Sequence, residues 1–241
     1  MFRYKGVSLI VFVVLFYESS SRLAPDYIKP CPGLKSECLK RNIQETIPHF
    51  VKGIQSLGIN STDPLYGDPV QLDLPGGLKI EFNDGIIKGF RKCIVEHVKY
   101  EGLEAQLNLR CNLSLKGKYK ATGRVLIFAI NGEGDARIKT PNVAFSCKIR
   151  FEDRTHDGVI YREIKDYKVS YSYDDKVSFQ FTNLFKGNPE LSETVLTFLN
   201  ENWKQVLDEF GKPITDTIVR IVFNVIKKFF RAIPRDELYV A

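Results

Sequence analysis

The stretch Leu107–Leu115 reads LNLRCNLSL. Leu107, Leu109, Cys111, Leu113 and Leu115 are apolar, and every residue between them is polar. A period of two gives an extended chain one dry face and one wet face, the mark of a half-buried antiparallel strand. The same alternation returns in Val143, Phe145, Cys147, Ile149 and Phe151, again in Tyr167, Val169, Tyr171 and Tyr173, and then in Val177, Phe179 and Phe181. Residues 77–182 are therefore predicted to form one long, strongly curved antiparallel sheet. Turns are expected at Glu101-Gly102, Gly117 to Gly123, Gly132 to Asp135, His156-Asp157-Gly158 and Asp174-Asp175.

One of these turns has a rival reading. Phe128–Asn142, FAINGEGDARIKTPN, places Gly132-Glu133-Gly134 after an apolar run, where a nucleotide-binding protein has its phosphate loop. That loop needs a third glycine where Arg137 stands, and a helix whose first amides meet the phosphate. Pro141 and a period-two strand follow instead, and Glu133 and Asp135 would repel a phosphate. The stretch is read as a hairpin.

On both sides of the sheet the period becomes helical. Ser36 is the expected N-cap of a short helix carrying Leu39, Ile43, Ile47, Phe50, Val51 and Ile54 on one stripe, with Pro48 kinking or resetting it. Gly58 to Pro75 reads as an irregular connection. Later, Asn188 caps a helix that has Pro189 at its first position. Leu196, Leu199, Trp203, Val206 and Phe210 make its stripe, and Gly211-Lys212-Pro213 interrupts it. Ile214, Ile218, Ile221, Val222, Val225, Ile226, Phe229 and Phe230 then continue to Pro234. A segment this apolar around its circumference should be enclosed. The expected class is α+β: a long C-terminal helix wrapped by a curved antiparallel sheet, with a short N-terminal helix and an elongated hydrophobic tunnel inside.

The first residues read as a signal peptide, residues 1–21. Arg3 and Lys5 precede an apolar run from Val7 to Phe16, and Ser19 and Ser21 suit a cleavage site. The run is too short to span a bilayer, for which about 18 apolar residues are needed. The remainder, 22–241, is expected to be one secreted, extracellular domain with no transmembrane segment. Removing Arg3, Lys5 and Glu18 leaves a net charge of +5. No basic block is interleaved with exposed aromatics, so nucleic acid is not an expected partner.

Five cysteines fall at positions 31, 38, 93, 111 and 147. No Cys-x-x-Cys or His-x3-His spacing supports a metal. Cys31 and Cys38, flanking Pro32 and Gly33, are the strongest local pair. A turn centred on Gly102 would set Cys93 opposite Cys111, a possible second bridge that leaves Cys147 free. Other pairings of these three stay open. Asn60-Ser61-Thr62 and Asn112-Leu113-Ser114 are glycosylation acceptors at Asn60 and Asn112.

Catalytic signals are lacking. No Gly-x-Ser-x-Gly elbow occurs. Of the three histidines His49, His97 and His156, His156 belongs to a charged hairpin tip and His97 to a wet strand face. What stands out is apolar surplus, with 17 Phe and 11 Tyr. Some of these side chains simply pack the core. Together, a single curved sheet around one helix leaves an interior channel, and apolar channels hold apolar ligands. Burying about ten methylenes contributes roughly 8 kcal/mol, near micromolar affinity. The residues expected to line it are Ile43, Ile47, Phe50, Phe145, Phe179, Phe181, Trp203, Phe210, Ile218 and Val222.

Specific motifs add to this reading. They begin with Cys31/Cys38, Leu57-Gly58-Ile59 and Asp63-Pro64-Leu65, and continue with Leu115-x-Gly117-x-Tyr119, Gly123 and Gly132-x-Gly134. Asn183-Leu184-Phe185 and Leu199-Asn200-Glu201-Asn202-Trp203 follow, and then Phe229-Phe230-x-x-Ile233-Pro234-x-Asp236-Glu237-Leu238. In this order they make the chain resemble the takeout family of insect secreted proteins, which includes the haemolymph juvenile hormone-binding proteins. The resemblance implies a tubular lipid-binding fold and a non-enzymatic carrier that needs no cofactor. It also implies a small hydrophobic ligand, juvenile hormone in some members and fatty or other lipids in others. Family members are linked to hormone transport, feeding, circadian output and chemosensation. Cys31–Cys38 would be the family's N-terminal disulfide. Cys93, Cys111 and Cys147 fall outside its pattern, and Ala129 stands where many members carry proline.

Three functions follow as expectations. The first is a monomeric secreted carrier. The second is an interaction or signalling protein whose tunnel lipid is structural. The third, a hydrolase of apolar esters, lacks the nucleophile elbow.

Overall fold

The computed structural model describes residues 22–67 and 69–239. The proposed signal peptide lies outside the described residues. In chain order the elements are α1 (Ser36–Phe50), β1 (Leu65–Gly67), β2 (Val70–Leu74), β3 (Leu78–Lys88), β4 (Ile94–Glu101), β5 (Glu104–Val125), β6 (Phe128–His156), β7 (Val159–Tyr173), β8 (Ser178–Phe181), α2 (Pro189–Glu201), α3 (Trp203–Ala232) and α4 (Arg235–Leu238).

One hairpin is the spine. β5 and β6, of 22 and 29 residues, pair along nearly the whole of β5. Shorter strands flank them at each end: β3 and β4 share the free side of β5, and β8 and β7 share that of β6. β1 and β2 then pair with β3, and every pairing is antiparallel. The sheet remains open. Its ladders are broken by irregularities around Asp84, Glu96, Asn112 and Lys165. An extra residue in one strand bends it and increases its twist, which curls the sheet around α3. At ~1.5 Å per residue α3 is about 45 Å long, so it runs the length of that trough.

The β5–β6 reversal occurs at Leu126 and Ile127, with Leu126 in the left-handed region at φ 52°. The turns expected at Gly117 to Gly123 and Gly132 to Asp135 are absent, because both stretches run straight inside β5 and β6. These glycines answer a steric need instead. A Cβ on Gly132 would lie 2.6 Å from the Leu184 carbonyl oxygen, and one on Gly134 would lie 2.4 Å from the Thr182 hydroxyl oxygen. The strap 182–185 crosses β6 there, held by a bridge from Asn131 to Phe185. Gly117 similarly makes room for the Phe82 ring. The turns at Glu101-Gly102 and His156-Asp157-Gly158 do occur, but the one expected at Asp174-Asp175 is only a bend, because β8 continues along β6 in the same direction as β7.

Other expectations are corrected too. Ser36 is the first residue of α1, capped by Lys35 without a side-chain hydrogen bond. The connection from Gly58 to Pro75 contains β1 and β2, whose Val70, Leu72 and Leu74 alternate across a strand too short to stand out. Asn188 caps α2 as expected, accepting from the Leu191 N–H. Gly211-Lys212-Pro213 does not break the C-terminal helix. The break comes at Asn202, and α3 continues through Pro213. A proline inside a helix costs about 3 kcal/mol. Apolar packing along α3 on both sides of Pro213 outweighs it.

Both expected disulfides form: Cys31–Cys38, and Cys93–Cys111 with a Cα separation of 4.4 Å. The irregularity at Glu96 matters to the second. Beyond it toward the turn the register pairs His97 with Asn108, which if continued would set Cys93 against Asn112. The extra residue shifts the count by one and brings Cys93 to Cys111. Cys147 is free and buried. Among the described residues no helix is long and apolar enough to cross a membrane.

Candidate functional site

Between the concave face of the sheet and α3 lies an apolar cavity of two lobes, with volumes of about 170 Å³ and about 210 Å³. The first lobe sits under β2, β3 and the strap, with walls that include Leu72, Leu78, Tyr119, Phe181 and Leu184. The second sits under the other half of the hairpin, with walls that include Leu107, Phe145, Cys147, Val169 and Val222. Alternation explains both: each strand sends every second side chain inward, and those are the aliphatic and aromatic ones.

Most polar side chains in these walls are already engaged. Thr217, in the first lobe, donates to the Pro213 carbonyl at 2.9 Å. The Tyr119 hydroxyl donates to the Thr182 carbonyl at 2.8 Å, and burial pushes its pKa up to about 12. In the second lobe the Tyr173 and Thr215 hydroxyls are 2.7 Å apart, and Thr140 donates to the Leu113 carbonyl at 3.3 Å. Burial also raises Tyr173 and pushes the Cys147 thiol up to about 12, so both stay neutral. No charged side chain stands in either wall among the described residues. Nor does any group of His, Cys, Asp and Glu there suit a metal ion.

Of the residues expected to line the tunnel, Phe179, Phe210 and Ile218 face both lobes, Phe181 faces the first, and Phe145 and Val222 face the second. Four stand elsewhere. Ile43 and Ile47 lie on α1, which packs against β4 and the turn before it. Gln44 fastens that helix by accepting from the Val95 N–H at 2.7 Å and donating to the Cys93 carbonyl at 3.0 Å. Phe50 belongs to a separate core with Ile54, Ile59, Phe229 and Ile233. Trp203 packs at the start of α3 against the main core, outside the walls. A helical stripe records that a face is dry, and these faces are dry against other side chains rather than against a void. Ile87, Leu115, Ile138 and Ile214 line both lobes and were not singled out. Leu115 at least was visible as the last apolar residue of LNLRCNLSL.

His156 and Glu163 lie 3.4 Å apart at the β6–β7 tip, where Arg231 also reaches Glu163 at 3.0 Å. This cluster gathers around a buried Glu163 and lies outside the cavity walls.

With this geometry the chain can be set beside known proteins. Its backbone superposes on the crystal structure of Takeout 1 from Epiphyas postvittana with a TM-score of 0.84 and 34% identity, over 89% of this chain and 100% of that one. It is 25% identical to the circadian clock-controlled protein daywake of Drosophila yakuba, over 90% of this chain and 88% of the relative. For daywake of Drosophila melanogaster the identity is 24%, over 89% and 88%. A family model described as haemolymph juvenile hormone binding protein matches residues 8–240. The chain belongs to the haemolymph juvenile hormone binding protein family.

Proposed function

We propose that this protein is a non-enzymatic carrier of a small, uncharged hydrophobic molecule, a juvenile hormone-like terpenoid or another neutral lipid, held in the two-lobed cavity. One observation carries the reading: the walls are almost wholly hydrocarbon and, among the described residues, contain no charged side chain. Dry cavities of about 150 Å³ take up benzene, so each lobe suits a ring or a short run of chain. Burying on the order of ten carbons contributes roughly 8 kcal/mol of transfer free energy.

The missing charges select within that class. An ionised carboxylate would enter unpaired, so a fatty acid must first take up a proton. At pH 7 that requirement weakens an acid on the order of 10²-fold against its methyl ester. Secretion as a monomeric domain spanning 22–241 belongs to the same proposal, supported by the disulfides and the family's haemolymph description. Asn60 and Asn112 are both exposed and fit as glycan sites.

A second reading has its own support. The curated relatives are named as circadian clock-controlled proteins, which fits a signalling protein whose lipid is structural. Native mass spectrometry of the purified protein, organic extraction, and competition between a methyl ester and its acid separate the readings. A carrier exchanges its lipid and prefers the ester. A lipid that never exchanges favours the signalling role, and a protein that takes up no hydrophobic probe sinks the carrier reading.

A further inference from the structure

We infer that Phe179, set against Phe210, determines how long a molecule the cavity accepts, and that Asn200 is its positioning residue. The inference rests on the carrier reading. Its basis is the way in which the two lobes meet.

On the sheet side the walls common to both lobes are Ile87, Leu115, Ile138 and Phe179. These four form a single cross-strand row. Ile87 of β3 pairs with Leu115 of β5, Leu115 with Ile138 of β6, and Ile138 with Phe179 of β8. Directly paired residues project from the same face about 5 Å apart, so the row is a rib one residue thick across the trough. On the helix side the common walls are Val206, Phe210, Ile214 and Ile218. They recur every fourth residue, so they share one stripe of α3. Rib and stripe together make a girdle between the lobes.

Within the girdle only Phe179 and Phe210 carry rings. Phe179 is 5% exposed and its ring stacks parallel to Phe181, with centroids 6.4 Å apart. It sits on β8, a strand of four residues whose one ladder partner is β6. A ring on so short a strand needs a second hold, and Asn200 supplies it. The Asn200 Oδ1 accepts from the Phe179 N–H at 2.8 Å, and its Nδ2 donates to the Phe179 carbonyl at 2.9 Å. The side-chain amide thus does for Phe179 what a neighbouring strand would do, and the same Nδ2 donates to Leu196 O at 2.9 Å inside α2. This gives the first Asn of Leu199-Asn200-Glu201-Asn202-Trp203 a role at the cavity.

The test uses methyl esters of straight-chain acids from about six to about twenty carbons, with affinity read by displacement of a fluorescent probe. The wild-type protein should gain about fourfold per added methylene until the tail meets the girdle, and then level off. In Phe179→Ala the plateau moves roughly four carbons longer, because the missing ring joins the lobes. Phe179→Leu, the variant chosen to preserve the fold, moves it less in the same direction, and Phe179→Trp moves it shorter. Asn200→Ala should also move the plateau longer. A purely structural Asn200 would weaken every ester by one factor and leave the plateau in place. An unchanged plateau in both Phe179→Ala and Phe179→Leu, with wild-type binding intact, overturns the inference. If the wild-type protein binds none of the esters, the carrier reading fails and takes this inference with it.

Discussion

Gly132 shows how much one missing methyl group can decide. The Leu184 carbonyl oxygen occupies the place its Cβ would need, at 2.6 Å. That neighbour is backbone, so a Gly132→Ala protein must move the strap or β6. The expected cost is about 1–3 kcal/mol, read as a lower urea midpoint. A midpoint equal to wild type would show that the crossing is loose. Cys147 supplies a second check at this scale. Burial holds its thiol neutral, with a pKa pushed up to about 12. At pH 8 the folded protein should react with an aromatic disulfide reagent ~10³-fold more slowly than a model thiol, and unfolding should remove the difference. Fast labelling of the folded protein would place the thiol in solvent.

Among the elements, the C-terminal α4 depends on charge. Arg162 and Arg235 both reach Asp153, with Arg162 Nη2 and Arg235 Nη1 each 3.0 Å from its Oδ2. The Arg162 guanidinium lies 4.7 Å from the centre of the Tyr239 ring, and Glu237 accepts from the Ala24 N–H at 2.6 Å. Chiefly through Arg162, then Arg235, the Asp153 carboxyl is held below the usual aspartate range. Because the folded-state pKa is the lower one, this stabilisation is complete above the unfolded value and is lost as pH falls through the folded value. Amides of 235–238 should therefore exchange faster than intrinsic chemistry predicts below about pH 4. Asp153→Asn should be fast at neutral pH and lose that dependence. Identical protection in both proteins would remove Asp153 from the clasp.

For the whole molecule, the neutrality of the cavity sets its response to pH. The Cys147 and Tyr173 walls stay uncharged because burial raises both groups. Affinity for a methyl ester should accordingly be level between about pH 5 and pH 9, while the matching acid binds more tightly as pH falls toward its own pKa. A bell-shaped profile for the ester would mean that an ionisable group reaches the ligand.

Much of this protein could be read along the chain. Alternation along LNLRCNLSL and its counterparts reports which face of a strand is dry, and helical stripes report the same for α1, α2 and α3. Those periods are set by local backbone geometry, so they specified a curved sheet around a long helix. Symmetry about Gly102 pointed to Cys93 opposite Cys111, but the hairpin is centred between Gly102 and Leu103, and it is the extra residue at Glu96 that brings the two cysteines together. The tertiary structure decided what stands opposite each dry face. Ile43, Ile47, Phe50 and Trp203 face side chains, whereas Ile87, Leu115, Ile138 and Phe179 face a void, and no period distinguishes the two. It also decided that Gly132 and Gly134 admit a crossing strap rather than turn the chain. Glycine marks a place where a side chain cannot be, and only the distant segment lying there shows the cause.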